Sequence, residues 1–165
     1  MVTSERRISI GPGEGETLRL KGGVGVVYKV NAEETGGAFA IVEHPVPPAA
    51  FAPPHTHTRE DELSYVLEGE ITVMIGRDTF VASAGAFVFK PRDVPHAFWN
   101  ASSGHARLLE IIWPPALAGA FREMAQAEAS PDFRELFDSI SRRYGVRGNP
   151  ELMPELHERY GLKRP

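Results

Sequence analysis

The chain has 165 residues, a formal net charge of −4 at pH 7 and no cysteine. That length suits one domain with a substantial core, and the lack of cysteine excludes disulfides and thiolate metal ligands. No run of Lys or Arg marks a surface for nucleic acid, and no apolar run approaches the length of a membrane span. We therefore expect neither a nucleic acid nor a membrane as a partner.

The beginning of the chain is not expected to form a regular element. Residues 1–7 lack the apolar core of a secretory signal, so the cytoplasm is the expected location. Residues 11–15 contain three glycines and one proline, which predicts a loop.

From residue 16 to residue 113 the sequence predicts short strands. β-rich or alternating runs occupy residues 17–20, 24–30, 38–43, 63–67, 71–75, 79–82, 87–89 and 107–113. Glycine-containing turns separate several of them, which favours a mainly β, antiparallel sandwich or small barrel. Residues 45–54 include five prolines, which remove backbone donors, so an extended, irregular connection is expected there.

One residue of the last predicted strand is unusual. Glu110 interrupts an otherwise apolar run. Three interpretations stay open, in this order: a side chain that faces solvent, a partner packed against an arginine, or an acid next to a functional site.

After Pro114 the apolar period changes from two to about 3.6, which predicts helices. Ser130 and Pro131 begin one helix, Gly145 ends it, and residues 154–160 form a short further helix. The apolar stripes of this tail either cover the sheet or form a lid over one mouth of the barrel. The prediction is a single domain over residues 1–165, with a β core at about 16–113 and a helical tail at about 114–161.

Two histidines near the middle of the chain have the spacing of a chelate. Side chains in a strand alternate between faces, so His55 and His57 point the same way. Glu62 follows after four residues and can bend back to the same point, and His96 follows Pro95 in a second stretch. Together they form a nitrogen and oxygen set suited to one divalent transition metal: Fe, Mn, Ni, Co, Cu or Zn. The other histidines, at positions 44, 105 and 157, are interpreted as surface or satisfied core residues.

These two stretches resemble the two sequence motifs of the cupin superfamily. The residues that fill the motifs in order are His55, His57, Glu62 and Gly69, then Gly85, Pro91, His96 and Asn100. Ala49 and Asp93 stand where the motifs often have glycine. Segments around the motifs are similar to single-domain cupins related to quercetin 2,3-dioxygenases. The resemblance implies a jelly-roll β-sandwich that holds the metal inside.

The predicted ligand set favours turnover or reversible binding. Four ligands leave one or two positions on a metal that accepts five or six. The first hypothesis is a dioxygenase for a small hydrophobic or aromatic enol or phenol, with Glu62 as ligand and catalytic base. Phe98, with Phe87 or Phe89, would form the wall of the substrate pocket.

Two other functions remain open at this point, because the cupin fold by itself selects no reaction. One is a non-catalytic, metal-bearing module that binds a small ligand. The other is a metal-dependent isomerase or hydrolase that consumes no dioxygen. A homodimer built through sheet edges is also expected.

Overall fold

The computed structural model describes residues 9–162, so the expectation for residues 1–7 lies outside the described residues. Two antiparallel sheets pack against each other, and helices follow the last long strand. The strands are β1 (Thr17–Arg19), β2 (Gly25–Val30), β3 (Ala40–Val46), β4 (Phe51–His57), β5 (Asp61–Glu68), β6 (Glu70–Ile75), β7 (Asp78–Ser83), β8 (Phe87–Lys90), β9 (His96–Trp99), β10 (Ala106–Trp113) and β11 (Val146–Gly148). The helices are α1 (Leu117–Ala127), α2 (Phe133–Tyr144) and α3 (Met153–Tyr160). The prediction of a mainly β, antiparallel sandwich with a helical tail is confirmed.

Within the described residues, one sheet has the strand order β1-β2-β3-β10-β5-β8 and the other has β11-β4-β9-β6-β7. Side chains alternate strictly between inside and outside along β10, where Leu108 and Ile112 are fully buried. Period-two patterns place such residues on one face of a strand, and the two inner faces then form the core. The sandwich core therefore lies between the sheets, where inward side chains of β3, β5, β8 and β10 meet those of β6, β7 and β9.

The proline-rich segment is more regular than predicted. Strand β3 continues to Val46 and β4 begins at Phe51, so only residues 47–50 connect them. Pro53 and Pro54 lie inside β4, and the pairing of β4 with β9 shifts register between Ala52 and His55. The prolines cannot donate to the ladder, but their φ angle is compatible with an extended chain. Pro53 and Pro54 are not paired with β9, and pairing resumes at His55.

The helical tail is confirmed, with one additional element. Gly145 ends α2 with a left-handed φ of 71°. Strand β11 follows at once and pairs antiparallel with β4, with Val146 opposite His57 and Gly148 opposite His55. This three-residue strand has too little pattern to be recognised in the sequence. Among residues 9–162, the helices are too short or too polar for any of them to cross a membrane.

Ala49 and Asp93, the two departures from the motif glycines, both adopt a left-handed backbone with φ of 63°. The amide of Ala49 donates to the carbonyl of Asn100 at 3.0 Å, and the amide of Asp93 donates to the carbonyl of His57 at 2.7 Å. These turns tie the loops to the ends of β4 and β9. A side chain at such a φ is strained, less so for Asp, whose short polar side chain tolerates this conformation.

Replacing Ala49 with glycine is expected to stabilise the protein. The relieved strain exceeds the extra entropy of glycine in the unfolded chain, so the free energy of unfolding should rise by about 0.5–1 kcal/mol. Asp93→Gly is the matched comparison and should gain less. Urea denaturation measures the free energy of unfolding of both variants. A clear loss of stability in A49G would contradict the claim that the backbone at Ala49 is strained.

Candidate metal centre

Pairing between β4 and β9 brings the three predicted histidines together. His55 lies opposite His96 across the two strands, and His57 lies two residues further along the same face of β4. The Nε2 atoms of His55 and His57 are 3.1 Å apart. Ligand atoms of His55, His57 and His96 all lie within 4.8 Å of one another, and all three could hold one metal ion.

Backbone carbonyls set the orientation of two of these imidazoles. Nδ1 of His55 lies 2.7 Å from the carbonyl oxygen of Pro53, and Nδ1 of His96 lies 3.1 Å from that of Val94. A carbonyl oxygen only accepts, so each Nδ1 must carry the proton and donate it. Nε2 of each ring is then left with a free lone pair, as a metal ligand requires.

Burial keeps the imidazoles on β4 neutral. Loss of hydration lowers the pKa of His57 to about 4, and it lowers the pKa of His55 well below the ordinary value, with the neighbouring His96 and His57 adding to the effect. Metal binding needs the unprotonated ring, so no proton has to be displaced from these two residues at neutral pH.

The Nε2 atom of His96 supports the fit of a cation. This atom is buried and has no hydrogen-bond partner among the described residues; a carboxylate oxygen of Glu62 lies 3.4 Å away. A buried nitrogen without a partner is costly, and a bound cation would use its lone pair. The three imidazoles therefore fit a divalent transition metal, although the ligand type does not select one metal.

Glu62, on β5 of the opposite sheet, borders the three histidines. Its Oε1 lies 3.6 Å from Nε2 of His57, and its Oε2 lies 3.4 Å from Nε2 of His96. Ligands about 2.1 Å from a metal lie about 3 Å apart when they meet at a right angle, so these separations suit a shared ion. The role of Glu62 as fourth ligand stays a prediction.

The carboxylate of Glu62 also contacts a buried lysine, Lys90 on β8. The Lys90 Nζ lies 3.0 Å from Oε2 of Glu62. Burial alone would raise the pKa of Glu62, but Lys90 and the histidines at positions 57 and 96 outweigh it and hold the pKa well below its ordinary value. Glu62 is therefore ionised at neutral pH.

Lys90 has a second buried carboxylate as a partner. Its Nζ lies 2.7 Å from Oε2 of Glu110 on β10, and the Ser64 hydroxyl donates to both oxygens of Glu110 at 3.1 and 3.2 Å. Burial raises the pKa of Glu110 to about 7, against the opposing effect of Lys90, while nearby carboxylates raise the pKa of Lys90 despite its own burial.

The first interpretation of Glu110, a side chain in solvent, is wrong, because only 1% of this residue is exposed. Its partner is Lys90 and not an arginine. Sequence reasoning missed Lys90, although a signal was present. Glu110 shares the parity of the buried Leu108 and Ile112, and Lys90 shares the parity of the buried Val88, so strand alternation places both charged groups inside.

A cavity of about 350 Å³ lies next to the histidines. Its polar lining residues are His44, His55, His57, Glu62, Lys90 and Glu110, together with Lys21, Glu128 and Asn149. Much of the remaining wall is apolar and comes from the helical tail, from Leu117, Phe121, Met124, Phe133, Phe137 and Met153. The tail therefore covers the sheet and also walls the cavity. Whether it opens as a lid stays a prediction.

Of the three phenylalanines predicted to line the pocket, only Phe98 does so. Phe87 and Phe89 lie on the outer face of the sheet, 68% and 52% exposed. Strand β8 alternates, and because Val88 and Lys90 point inward, the two phenylalanines must point outward. Phe87 packs there on Tyr65, and Phe89 stacks on Trp113.

The remaining histidines agree with their interpretation as surface or core residues. His44 is buried, its Nδ1 lies 2.8 Å from the carbonyl oxygen of Gly25, and burial lowers its pKa to about 4. It also lines the cavity, with its Nε2 4.0 Å from Glu110. His105 and His157 are exposed.

Comparison with known proteins gives a cupin match over less than half of the chain. Residues 42–112 match the cupin domain family, a segment that contains all four predicted metal ligands. Among curated proteins, none matches this sequence. The sandwich is of the cupin type, and the family match and the structural neighbours agree with the sequence motifs.

Solved cupin structures share the fold at low sequence identity. A predicted oxalate decarboxylase from Thermotoga maritima is 21% identical, with a TM-score of 0.60 over 64% of this chain and 97% of that chain. The Cnp3 cupin domain of Schizosaccharomyces pombe is 16% identical, with a TM-score of 0.58 over 70% and 80% of the respective chains. A sugar phosphate isomerase of the cupin superfamily from Silicibacter pomeroyi is 18% identical, with a TM-score of 0.56 over 63% and 74%. At these identities the likeness concerns the fold alone.

Replacing His57 with alanine should remove most metal binding without unfolding the sandwich. Loss of one of three imidazoles lowers the affinity for zinc by at least about tenfold, whereas the core between the sheets is untouched. Zinc titration against a chelator measures the affinity, and circular dichroism checks the fold. The exposed His105→Ala is the control and should bind zinc as the wild type does; equal binding by H57A would remove His57 from the ligand set.

Proposed function

We propose that the protein is a metal-dependent dioxygenase that acts on a small hydrophobic or aromatic substrate with an enol or phenol group. The observation that carries this proposal is the cavity itself. His55, His57 and Glu62 lie in its polar wall, and apolar residues of the tail form much of the remainder. Pockets of this kind, about 300–1,000 Å³ in size, commonly take small molecules whose polar group is fixed by a few side chains.

The histidines and Glu62 have separate roles in this proposal. His55, His57 and His96 would hold the metal through Nε2, and a bound metal would supply Lewis acidity and, if it is redox-active, chemistry with dioxygen. Glu62 lies beside them and is ionised, so its carboxylate accepts the proton of the substrate hydroxyl. The resulting substrate anion is electron-rich and suited to oxidation.

The apolar wall favours a flat, hydrophobic substrate body. Phe98 from β9 and Phe121 from α1 both line the cavity, as do Phe133 and Phe137 at α2. Aromatic side chains pack well against rings in stacked or edge-on contacts. A dioxygenase places both atoms of dioxygen in the organic product, and the electrons come from the substrate, so the proposed reaction needs no separate reductant.

A second candidate is a metal-dependent isomerase or hydrolase, and one observation favours it. Lys90 and Glu110 add an acid and a base to the cavity wall, and proton transfer between carbon atoms needs such groups. Two of the similar structures are described as a predicted oxalate decarboxylase and a sugar phosphate isomerase. A third candidate is non-catalytic binding of a small ligand by the same cavity.

Oxygen uptake separates these candidates. Protein stripped of metal and reloaded separately with Fe, Mn, Ni, Co, Cu or Zn is tested in an oxygen electrode with flavonols and diketones. The dioxygenase proposal expects uptake of one dioxygen per substrate consumed and both atoms of labelled dioxygen in the product. Substrate conversion without uptake would establish the second candidate, and tight binding without conversion would establish the third.

Replacing Glu62 with glutamine should reduce turnover more than metal binding. The amide cannot accept the substrate proton, so kcat is expected to fall by about 100-fold or more. Zinc content and affinity should fall much less, because the histidines remain. Glu60→Gln is the matched control, a buried carboxyl two residues away that does not line the cavity. Unchanged turnover in E62Q would exclude Glu62 as the base.

A further inference from the structure

The sheet that faces the histidines carries a buried ion pair that the proposed chemistry of the metal does not require. Lys90 and Glu110 are 2% and 1% exposed. Buried ion pairs contribute little to stability, since a well-packed apolar pair of similar volume often serves as well or better. Their place in the wall of the cavity, in contact with Glu62, suggests a role at the metal site instead.

We propose that Lys90 and Glu110 are positioning residues. Together they determine how strongly the carboxylate of Glu62 can bind the metal. Lys90 competes with the metal for the carboxylate of Glu62, and Glu110 weakens this competition by occupying Lys90 from the other side. The inference rests on the metal site of the proposed function but not on its reaction with dioxygen.

The competition is visible at a single atom. Oε2 of Glu62 lies 3.0 Å from Nζ of Lys90 and 3.4 Å from Nε2 of His96, so the oxygen that faces the histidines is also the one that faces the ammonium. A lone pair used for a charge-assisted hydrogen bond is not available to a cation. A stronger hydrogen bond from Lys90 to Glu62 therefore weakens the coordination of the metal by this carboxylate.

Glu110 weakens the hydrogen bond between Lys90 and Glu62. Its Oε2 lies 2.7 Å from Nζ of Lys90, closer than Glu62, and the hydroxyl of Ser64 helps to fix the Glu110 carboxylate. The ammonium is thus divided between two carboxylates. Because these groups are buried and solvent screens them little, each charge would act strongly on a cation held by the histidines.

The two residues therefore have opposite effects on metal affinity. Removal of the Lys90 charge frees Glu62 and removes a repulsive charge, so a metal should bind more tightly. Removal of the Glu110 charge leaves Glu62 as the one charged partner of Lys90 in the pair, so Lys90 should bind Glu62 more strongly and a metal should bind more weakly. A pair that only supports the fold would act differently, because both substitutions would then disturb the wall and weaken binding.

The test is zinc affinity, measured at about pH 8 by competition with a chelator, for Lys90→Met, Glu110→Gln and the double variant; at that pH Glu110, with a pKa of about 7, is mostly ionised. We expect zinc to bind about tenfold more tightly to K90M and about tenfold more weakly to E110Q, at the low end of the effects seen when partners of metal ligands are changed. The double variant should bind zinc more tightly than E110Q by at least about tenfold. In an E62Q background, K90M should change the affinity less, because the competition acts through the carboxylate.

Arg107→Met is the matched control. Arg107 lies on the same strand as Glu110 but on the outer face, where it pairs with Glu43 at 2.9 Å and Glu68 at 3.1 Å. Loss of this positive charge should leave zinc affinity unchanged, because solvent screens it and it has no contact with Glu62.

The outcomes separate this inference from the proposed function. Weaker or unchanged zinc binding by K90M would overturn the inference. If K90M fails to fold because Glu110 loses its partner, the comparison of E110Q with the double variant decides in the same way. If the wild type binds zinc but the zinc affinities of the variants do not follow the expected order, this inference alone is overturned. Absent oxygen uptake with the expected order overturns the dioxygenase alone, and a wild type that binds no zinc overturns both.

Discussion

The antiparallel pairing of β4 with β9 is the interaction on which the site depends. It sets His55 opposite His96, and alternation along β4 adds His57 on the same face. No loop has to be ordered to assemble the three imidazoles, because the ladder of the sheet holds them. Backbone carbonyls at Pro53 and Val94 then orient two of the rings. A site built on strands in this way is held more rigidly than one built on loops.

Charge inside the sandwich follows from the same constraint. The sheet that contains β4 and β9 carries His55, His57 and His96, and the other sheet carries Glu62, Lys90 and Glu110, with His44 beside Glu110. Above the pKa of Glu110, about 7, two carboxylates with one ammonium leave a net negative charge among buried groups, which is costly unless a cation compensates it. In the proposed site the histidines would supply nitrogen ligands and the acidic groups of the other sheet would attract the cation, so the two sheets would have complementary roles.

Much of the fold and the clustering of the three histidines could be predicted from the sequence, because both depend on short-range patterns. Two-residue spacing placed His55 and His57 on one face, and the period of 3.6 located α2 and its end at Gly145. Other features depend on contacts between distant segments. The partner of Glu110 could not be found without the pairing of β5 with β8 and β10, and β11 is too short to carry a pattern. Alternation along the strand could have predicted the outward position of Phe87 and Phe89, but their aromatic character suggested a pocket.

The short strand β11 joins the tail to the strand that carries two of the histidines. Asn149 reinforces this junction: its backbone amide donates to the carbonyl of Pro54 at 2.9 Å, and its side chain accepts from Thr56 at 2.7 Å. Strand β11 and Asn149 thus hold the tail against the strand that carries His55 and His57. Any molecule that rigidifies β4 would also slow the local opening of β11, so amide exchange along residues 146–148 would report binding at the centre of the sandwich.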